Sequence, residues 1–517
     1  MQKKFTPVFL ISAIVAFIFI IWGSIPKSML PNWNLDDVTL SLHGFIIQKF
    51  GWFYLLTATF FLFFSIALIF SKYGNIKLGP DDEEPEYSYL TWFAMLFSAG
   101  MGIGLVFWGV AEPMYHYSGP PTGEGFTDDS AKLALRYAFF HWGLHPWGIY
   151  TVIALALAYF TFRKKEKGVV SNILKPIFGN RVNGKLGIFI DFVAVFATVF
   201  GVATSLGFGA IQISGGFSYL FPSIENNFTT QLIIIIIVTF LFMFSAQTGL
   251  NKGIKYLSNL NVVLAVSLLF FLLFTGPTNF IMDLFTTTLG SYIQNLPSMS
   301  FRMTPFNSEN TWVQDWTIFY WAWWIAWAPF VGTFIARVSK GRTIREFVIG
   351  VLAVPTIFGA LWFSVFGGSS IFLEHFNNIP ILQEMNQQGI EVALFSMLEK
   401  YPLARVTSGL AILLISTFFI TSADSATFVL GMQTSNGNLN PSNFIKFIWG
   451  IIQSAAAIIL LYSGGLQALQ RASIIAALPF AIIMILMVFA LLKSLGQEKI
   501  VQYKVVQKDK QTRSNVS

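Results

Sequence analysis

Long apolar segments separated by short polar connections make up most of the sequence. Twelve of them have the roughly 20 residues that an α-helix needs to cross a bilayer. They lie at residues 7–25, 51–71, 89–112, 135–162, 188–220, 231–249, 256–275, 313–336, 346–372, 403–434, 443–463 and 472–493. Two more segments, 279–297 and 378–400, have helical patterns that are too short or too polar to cross, and the first has the apolar face of a helix lying in the membrane interface. The pattern predicts an all-α polytopic membrane protein with twelve transmembrane helices.

The composition agrees with many spans. Hydrophobic residues make up 55% of the chain and charged residues 11%, and the mean hydropathy is +0.64, whereas soluble domains carry about 25% charged residues. The chain contains no cysteine, which excludes disulfide and thiolate chemistry. The net charge of +7 is explained by Lys and Arg in the connections, so it does not indicate nucleic-acid binding.

The placement of Lys and Arg predicts the orientation. With the N-terminus in the cytoplasm, the cytoplasmic connections hold roughly three times as many Lys and Arg residues as the outer ones. The apolar run after Lys3 and Lys4 is not followed by a small-residue cleavage site, and we interpret it as an uncleaved first helix. We expect a multi-pass protein of the cell (plasma) membrane with both termini cytoplasmic. The basic tail from Lys493 either contacts anionic lipid headgroups or stays in solvent.

Aromatic residues are concentrated in the segment 316–337, WTIFYWAWWIAWAPFVGTFIAR. Helical spacing places Tyr320, Trp323, Trp324 and Trp327 along roughly one stripe, with Phe330 beyond them. One interpretation is that these rings face lipid or pack against neighbouring helices. The other is a wall of ring faces that binds a soft cation.

The third predicted span contains Ser98-Ala-Gly-Met-Gly-Ile-Gly104. Three glycines within five residues weaken a helix. Two explanations account for them equally well. One is close helix packing, and the other is an unwound segment that presents backbone N–H and C=O groups to a ligand. A separate segment, Gly179 to Lys185, resembles the start of a phosphate-binding loop, but Leu186 follows it where a hydroxyl is needed. We therefore do not expect ATP-driven pumping.

Few ionisable residues lie inside the predicted spans. His141 and His145 have the i, i+4 spacing of metal ligands, but no carboxylate is nearby in sequence, which favours hydrogen-bonded structural histidines. Asp424 is the one acid expected well inside a span, where a charge is costly and either functional or structural. Glu112 and Asp191 fall at predicted helix ends and are interpreted as ordinary interface charges.

Five motifs, in order along nearly the whole chain, resemble the betaine/choline/carnitine transporter family. They are GMGIGLVFWGVAEP (100–113), FHWGLHPWGIY (140–150), GLNKGIKYLSNLN (249–261), WTIFYWAWWIAWAPFVGTFIARVSKGRTIREF (316–347) and TSADSATFVLGM (421–432). The resemblance implies a LeuT-like 5+5 inverted repeat preceded by two extra helices, assembled as a homotrimer. The implied division is an N-terminal tail with two extra helices (1–88), a first five-helix repeat (89–275), an interfacial amphipathic helix with an outer loop (276–312), a second five-helix repeat (313–493) and a basic cytoplasmic tail (494–517).

The resemblance also implies a substrate site. Aromatic residues of the fourth and eighth spans and the glycine segment of the third would form it: Trp142, Trp147, Tyr150, Trp323, Trp324, Trp327, Gly100, Met101, Gly102 and Gly104. A trimethylammonium group cannot donate an N–H hydrogen bond, and desolvated ring faces attract it with about 0.5–2 kcal/mol each. A buried carboxylate partner is not expected, because it would be costly and would hold a zwitterion too tightly. The carboxylate end of the substrate would meet the N–H groups of the glycine break.

Sodium is the coupling ion that the resemblance implies, and no cofactor is expected. The first sodium site would use Ser98, Met101, Phe418, Thr421 and Ser422. A weaker second site would use Thr198 and Phe330, because Val202 occupies the position of the family's second threonine. The seventh span has no Lys or Arg beyond Lys255, which favours sodium coupling over sodium-independent exchange.

The leading hypothesis from the sequence is a secondary active transporter that imports glycine betaine or a related compatible solute by sodium symport, with osmoprotection as its expected role. The alternatives are choline or carnitine uptake, or sodium-independent onium exchange. A membrane-embedded enzyme is disfavoured because no nucleophile, base and orienting group lie together in sequence. An ion channel is disfavoured because no repeated selectivity-filter motif is evident.

Overall fold

The computed structural model describes residues 5–100, 102–248, 251–307 and 309–498, and only the backbone at 97–100, 247–248 and 251–255. Within these ranges the protein is helical, and its extended pairing is limited to a single bridge between Lys77 and Thr343. The helices of the first half are α1 (Pro7–Ser24), α2 (Leu35–Phe70), α3 (Tyr89–Gly100), α4 (Ile103–Ser118), α5 (Asp128–Trp142), α6 (Leu144–Ala158), α7 (Val170–Ile173), α8 (Lys175–Phe178), α9 (Lys185–Leu220), α10 (Phe228–Thr248) and α11 (Asn251–Thr275).

The second half continues the all-α architecture. Its helices are α12 (Thr278–Ser300), α13 (Phe319–Val338), α14 (Ile344–His375), α15 (Ile381–Gln388), α16 (Ala393–Glu399), α17 (Ala404–Gln433) and α18 (Asn443–Leu495). Short π-helical turns extend α6 over Tyr159–Arg163 and precede α13 over Val313–Ile318. Three 3₁₀ turns cover Lys72–Asn75, Gly179–Asn183 and Ile390–Val392. The all-α prediction is confirmed for the described residues.

Ten helices in the described ranges are long and apolar enough to cross a membrane. The third predicted span is absent from that set because it is divided into α3 and α4. The last two predicted spans form the single element α18, whose backbone leaves the helical region at Gly464 and Gly465. The count of twelve spans and the inverted repeat stay predictions.

Side chains at several helix starts explain where the elements begin. Thr127 and Ser130 exchange hydrogen bonds at the start of α5, and Thr343 and Glu346 do the same at the start of α14. Such capping boxes satisfy backbone N–H groups that have no partner inside the helix. Both helices therefore begin at positions that the local sequence specifies.

Three helix breaks occur where glycines lie. The first separates α3 from α4 after Gly100, which is the second of the two interpretations that the glycine segment left open. The second separates α5 from α6 at Gly143, whose φ of −100° and ψ of −128° interrupt the helix. The third is the kink in α18, where Gly465 has a φ of 59°, a value that side chains other than glycine rarely adopt.

The predicted interfacial segment 279–297 corresponds to α12, and the polar segment 378–400 to the short helices α15 and α16. One face of α12 is buried, including Ile281, Leu284 and Tyr292. This face packs against α5 and α14. Helices α9 and α18 form the most extensive helix pair, and α13 packs along α6, which brings the aromatic segments together.

Candidate functional site

Three indole rings meet where α13 packs against the ends of α5 and α6. The Trp142 ring centroid lies 4.9 Å from that of Trp324 and 6.1 Å from that of Trp323, and both pairs are close to perpendicular. Trp323 and Trp324 stack at 4.6 Å. All three side chains are buried. The eighth-span tryptophans therefore pack inside the protein at this point, against the fourth span.

These rings enclose a cavity of about 20 Å³, room for about one water molecule. Its lining combines four indoles, the start of α4 and two serines: Gly102, Ile103, Gly104, Leu105, Trp142, Ser205, Trp323, Trp324, Trp327 and Ser422. The described conformation is closed around this cavity. A larger guest requires the rings to separate.

Trp147 and Tyr150, the other predicted cage residues, lie next to this lining. The Tyr150 ring is 6.2 Å from the Trp324 ring, and the Trp147 ring is 5.4 Å from Tyr150. Both side chains are buried. Tyr150 therefore meets the cage at Trp324, and Trp147 packs against Tyr150.

The N-terminus of α4 adjoins the cavity. Gly102 precedes the helix in an extended conformation, and no side chain accepts a hydrogen bond from the first turn. First-turn N–H groups lack partners inside the helix and carry the positive end of its dipole, so Ile103 and Gly104 offer donors that suit an anionic group. Gly100 ends α3, whereas Met101 and the side chain of Ser98 lie outside the described residues.

Three polar atoms beside the cage have no hydrogen-bond partner within the described ranges. They are Nε1 of Trp323, Nε1 of Trp327 and the hydroxyl oxygen of Tyr150, and each atom is buried. A buried donor without a partner costs free energy. These groups are therefore available to a polar ligand or to water.

Glu112 is completely buried in α4, and its interpretation as an interface charge is wrong. The helix continues past it to Ser118, so Glu112 lies inside the packed bundle. Oε1 accepts hydrogen bonds from Nδ1 of His141 at 2.7 Å and Nε2 of His116 at 3.2 Å. Oε2 accepts from the indole Nε1 of Trp142 at 2.7 Å. The Glu112 carboxylate thus fixes the position of the cage residue Trp142 through the N–H group of its ring.

The hydroxyl of Tyr320 donates the fourth hydrogen bond to Glu112, at 2.6 Å. Sequence reasoning missed this network because its members come from three separate segments. The one local signal was the i, i+4 spacing of Glu112 and His116, which places both side chains on one helix face. Asp424 is therefore not the only acid inside a predicted span.

The histidines are held by hydrogen bonds, as predicted. Nε2 of His141 is 2.9 Å from the hydroxyl of Thr317. His145 stacks on Trp321 at 5.0 Å, and its Nε2 is 3.1 Å from the hydroxyl of Ser300. Ligand atoms of Glu112, His116 and His141 lie within 4.8 Å of one another, so the carboxylate partner that the sequence lacked nearby is supplied by α4. Hydrogen bonds account for this arrangement.

Three of the five predicted ligands of the first sodium site, Phe418, Thr421 and Ser422, lie on α17. The hydroxyl of Thr421 lies 3.0 Å from the carbonyl oxygen of Thr417 and 3.2 Å from that of Phe418. Nδ2 of Asn261 donates to the Thr421 hydroxyl at 3.1 Å. Ser422 lines the small cavity. Asn261, on α11, ends the motif GLNKGIKYLSNLN, but it was given no role because its contact with Thr421 joins two helices that are distant in sequence.

Thr198 and Phe330, the residues of the predicted second sodium site, contact different parts of the protein. The hydroxyl of Thr198 donates to the carbonyl oxygen of Ala194 at 2.8 Å and lies 3.3 Å from Oε1 of Gln433. Val202 is buried one turn further along α9. Phe330 lines a second cavity, of about 460 Å³.

Charged residues also line this second cavity, namely Asp424, Arg337 and Lys446. Asp424 accepts a hydrogen bond from the hydroxyl of Ser245 at 2.7 Å. Nζ of Lys446 donates to the carbonyl oxygen of Ala246 at 2.7 Å. The acid that the sequence places inside the tenth span therefore faces a polar cavity and has a hydrogen-bond partner.

Comparisons with known proteins identify the family of this chain. The family model "BCCT, betaine/carnitine/choline family transporter" matches residues 7–500. The chain is 56% identical over 501 residues to the glycine betaine transporter OpuD of Bacillus subtilis (strain 168), with 96% of each chain covered.

Two further relatives are 45% identical to the chain. One is a probable glycine betaine transporter of Desulfitobacterium hafniense (strain Y51), aligned over 500 residues that cover 96% of this chain and 99% of the relative. The other is the ectoine/hydroxyectoine transporter of Virgibacillus pantothenticus, aligned over 502 residues that cover 96% and 98%. The family and these named relatives are transporters rather than enzymes. This chain belongs to the betaine/carnitine/choline transporter family.

Proposed function

We propose that this transporter imports glycine betaine or a related trimethylammonium compatible solute by sodium symport. The substrate binds among the indoles of Trp142, Trp323, Trp324 and Trp327, with Trp147 and Tyr150 completing the cage when the site opens. Transport proceeds by alternating access, in which two halves of the protein (89–275 and 313–493) move about the site.

The main support is the enclosure of one cavity by four indoles and the N-terminus of α4. Ring faces attract a quaternary ammonium without an N–H hydrogen bond. The first-turn N–H groups of α4 favour a carboxylate. The two ends of a betaine therefore have complementary groups within one site.

Sodium coupling is proposed from the oxygens near Ser422. The hydroxyls of Thr421 and Ser422 and the carbonyl oxygen of Phe418 are hard ligands of the kind that small cations prefer, and Ser98 and Met101 complete the proposed set. Because Ser422 lines the cavity that Gly102 and Trp327 also line, an ion there would contact the walls of the substrate site. Sodium binding would then favour the conformation that holds substrate. Thr198 and Phe330 form the weaker second site.

Four alternatives differ from this proposal in measurable ways. Choline lacks the carboxylate and would not use the α4 N–H groups, and carnitine separates its charges further. Sodium-independent exchange would show no response to sodium. Ectoine enters the comparison because one relative at 45% identity is named for its transport.

The proposed setting follows the sequence expectations. Both termini lie in the cytoplasm of a plasma-membrane protein with twelve spans, which assembles as a homotrimer through α12 and contacts membrane lipids. Import of a compatible solute in this setting raises the internal solute concentration and protects the cell at high osmolarity.

Uptake measurements test the proposal. Cells lacking other carriers and expressing this protein are given labelled betaine, choline, carnitine, ectoine or proline while sodium is titrated at constant ionic strength. We expect saturable betaine uptake that rises with sodium and exceeds choline uptake. Saturable betaine uptake that ignores sodium would remove the symport mechanism, and uptake of none of the onium compounds would remove the substrate assignment.

A further inference from the structure

We propose that the Glu112 carboxylate supplies a fixed negative charge behind the aromatic cage and makes the site selective for a cationic head group over a neutral group of the same shape. This inference rests on the proposed onium substrate and names the residue that determines its charge. The ring faces already attract a trimethylammonium group more strongly than a neutral tert-butyl group of the same shape, and a nearby negative charge increases this preference.

The geometry places this charge close to the substrate. Trp142 reaches from the cavity to the carboxylate. One end of its ring, Cη2, would lie 3.1 Å from a Cβ atom added to Gly104, and the other end donates through Nε1 to Oε2 of Glu112 at 2.7 Å. Glu112 therefore lies about one indole width from the cavity wall.

We take the Glu112 carboxylate to be ionised and both neighbouring histidines to be neutral, so the cluster has a single negative charge. Nδ1 of His116 is buried without a partner in the described ranges, so this ring is neutral with its proton on Nε2, because a buried imidazolium needs an acceptor at both nitrogens. His141 is neutral when the hydroxyl of Thr317 donates to its Nε2. Among the described residues, the ion-pair contacts of Glu112 are with these two histidines alone.

A charge in this environment acts on the cavity with little screening. Glu112, His116 and His141 are all completely buried, and the attraction between opposite charges strengthens as the effective dielectric constant falls. Four donors stabilise the ionised carboxylate, which otherwise would be costly to bury. The sequence predicted no carboxylate near the cage. We infer instead that the Glu112 carboxylate acts on the substrate from behind Trp142.

The position of Glu112 along α4 also orients a zwitterion. Glu112 lies nine positions after Ile103, or about 13 Å along the helix axis. The helix start favours an anionic group and Glu112 favours a cationic one. A betaine would thus place its carboxylate towards Gly102 and its trimethylammonium group towards Trp142.

The experiment compares betaine with 3,3-dimethylbutanoate, in which carbon replaces the ammonium nitrogen and the carboxylate is kept. Dissociation constants of both ligands are measured with the purified full-length protein, by calorimetry or by competition with labelled betaine. The readout is the ratio of the two constants. In Glu112→Gln we expect the preference for betaine to fall about tenfold, chiefly because betaine binding weakens. A purely structural role weakens both ligands equally, so an unchanged ratio overturns the inference.

Two variants separate charge from position. Tyr320→Phe removes one hydrogen bond to Glu112 but leaves its charge, and the ratio should stay within about twofold of the wild-type value. Glu112→Asp keeps the charge while shortening the side chain, so it should weaken both ligands and largely preserve the ratio. If Glu112→Gln does not fold, a tenfold loss of preference in Glu112→Asp overturns the inference. Failure of the wild-type protein to bind any onium compound contradicts the proposed function instead.

Discussion

The indole Nε1 of Trp324 donates a hydrogen bond of 3.0 Å to the backbone carbonyl oxygen of His141. His141 immediately precedes Trp142, and the helix breaks one residue later at Gly143. Trp324 therefore fixes the end of α5 while its own ring stacks on Trp323 and meets Trp142 edge to face. One side chain connects the two helices that form the cage.

Replacing Trp324 by Leu should reduce betaine affinity at least tenfold. The change removes a ring face worth about 0.5–2 kcal/mol to a bound cation and a hydrogen bond worth about 1 kcal/mol. Trp324→Phe keeps an aromatic face and should lose less. The measurement is the KM of betaine uptake, normalised to the amount of protein in the membrane. Trp52→Leu, at a position 52% exposed, is the control and should have the wild-type KM for betaine. A wild-type KM in Trp324→Leu would contradict the cage assignment.

Gly104→Ala should impair transport through crowding of the cage. A Cβ atom at this position would lie 2.5 Å from Cη2 of Trp323 and 3.1 Å from Cη2 of Trp142, so the rings must shift. Gly44→Ala is the matched control, because no atom lies within 4 Å of its added Cβ, and alanine favours the helix by about 1 kcal/mol. We expect the first variant to lose most betaine uptake at normal abundance and the second to lose none. Equal uptake in both variants would show that the rings move freely around Gly104.

Much of the fold was accessible from periodicity. The all-α class and the separate helix at 279–297 followed from apolar run length and polarity, whereas the glycine placement left a break after Gly100 and close helix packing equally open. The last two predicted spans are the two parts of α18, which are separated by a kink at Gly464 and Gly465 rather than by a loop. Apolar length indicates that a segment can cross a membrane but does not specify where the backbone kinks.

The site was only partly accessible. Trp142 and Trp324 lie in motifs whose family resemblance indicates an onium site, and the structure brings them together. Glu112 was misread because its burial depends on side chains from α5 and α13 that are distant in sequence. Asn261 was missed for the same reason, because its role depends on a contact with Thr421. Local pattern predicts elements, whereas polar networks depend on the packing of elements that are far apart along the chain.

Val202→Thr should steepen the dependence of uptake on sodium. The substitution adds a hydroxyl one helical turn after Thr198, within a buried part of α9, and so would supply an oxygen to the proposed second site. Initial rates of betaine uptake are measured against sodium concentration, and we expect the Hill coefficient to rise. Thr198→Val is the opposing variant and should leave the sodium curve no steeper than in the wild type. An unchanged curve in Val202→Thr would argue against a second site at this position.

Tyr292→Phe should loosen the break between α5 and α6. The backbone N–H of Leu144 donates to the hydroxyl of Tyr292 at 3.0 Å, so α12 supplies a partner for the first turn of α6. Losing it leaves a half-buried N–H without this partner, at a cost of about 1 kcal/mol. We expect a lower unfolding temperature in detergent and a raised KM for betaine. Thr286→Ala, on the exposed face of the same helix, should change neither quantity, and a Tyr292→Phe protein with wild-type values would show that water replaces the hydroxyl.

Glu498→Gln should lower stability in a pH-dependent way. Glu498 follows α18 and pairs with Arg163 at 2.9 Å and Lys164 at 2.7 Å, at the end of the helix that carries Trp147. Burial opposes ionisation of this carboxyl, but hydrogen bonds from Arg163, Lys164 and Tyr159 outweigh it and lower its pKa from 4.5 to about 2.

Because the pKa of Glu498 is lower in the folded state, its stabilising contribution is complete above pH 4.5 and is lost as the pH falls towards 2. At pH 7 we expect Glu498→Gln to lower the free energy of unfolding by about 1 kcal/mol after solvent screening. The difference from the wild type should narrow steadily below pH 4.5. Thermal unfolding in detergent between pH 7 and pH 3 measures this difference in stability. Glu309→Gln, at an exposed position, is the control. A difference that is constant from pH 7 to pH 3 would mean that the side chain stabilises by packing rather than by charge.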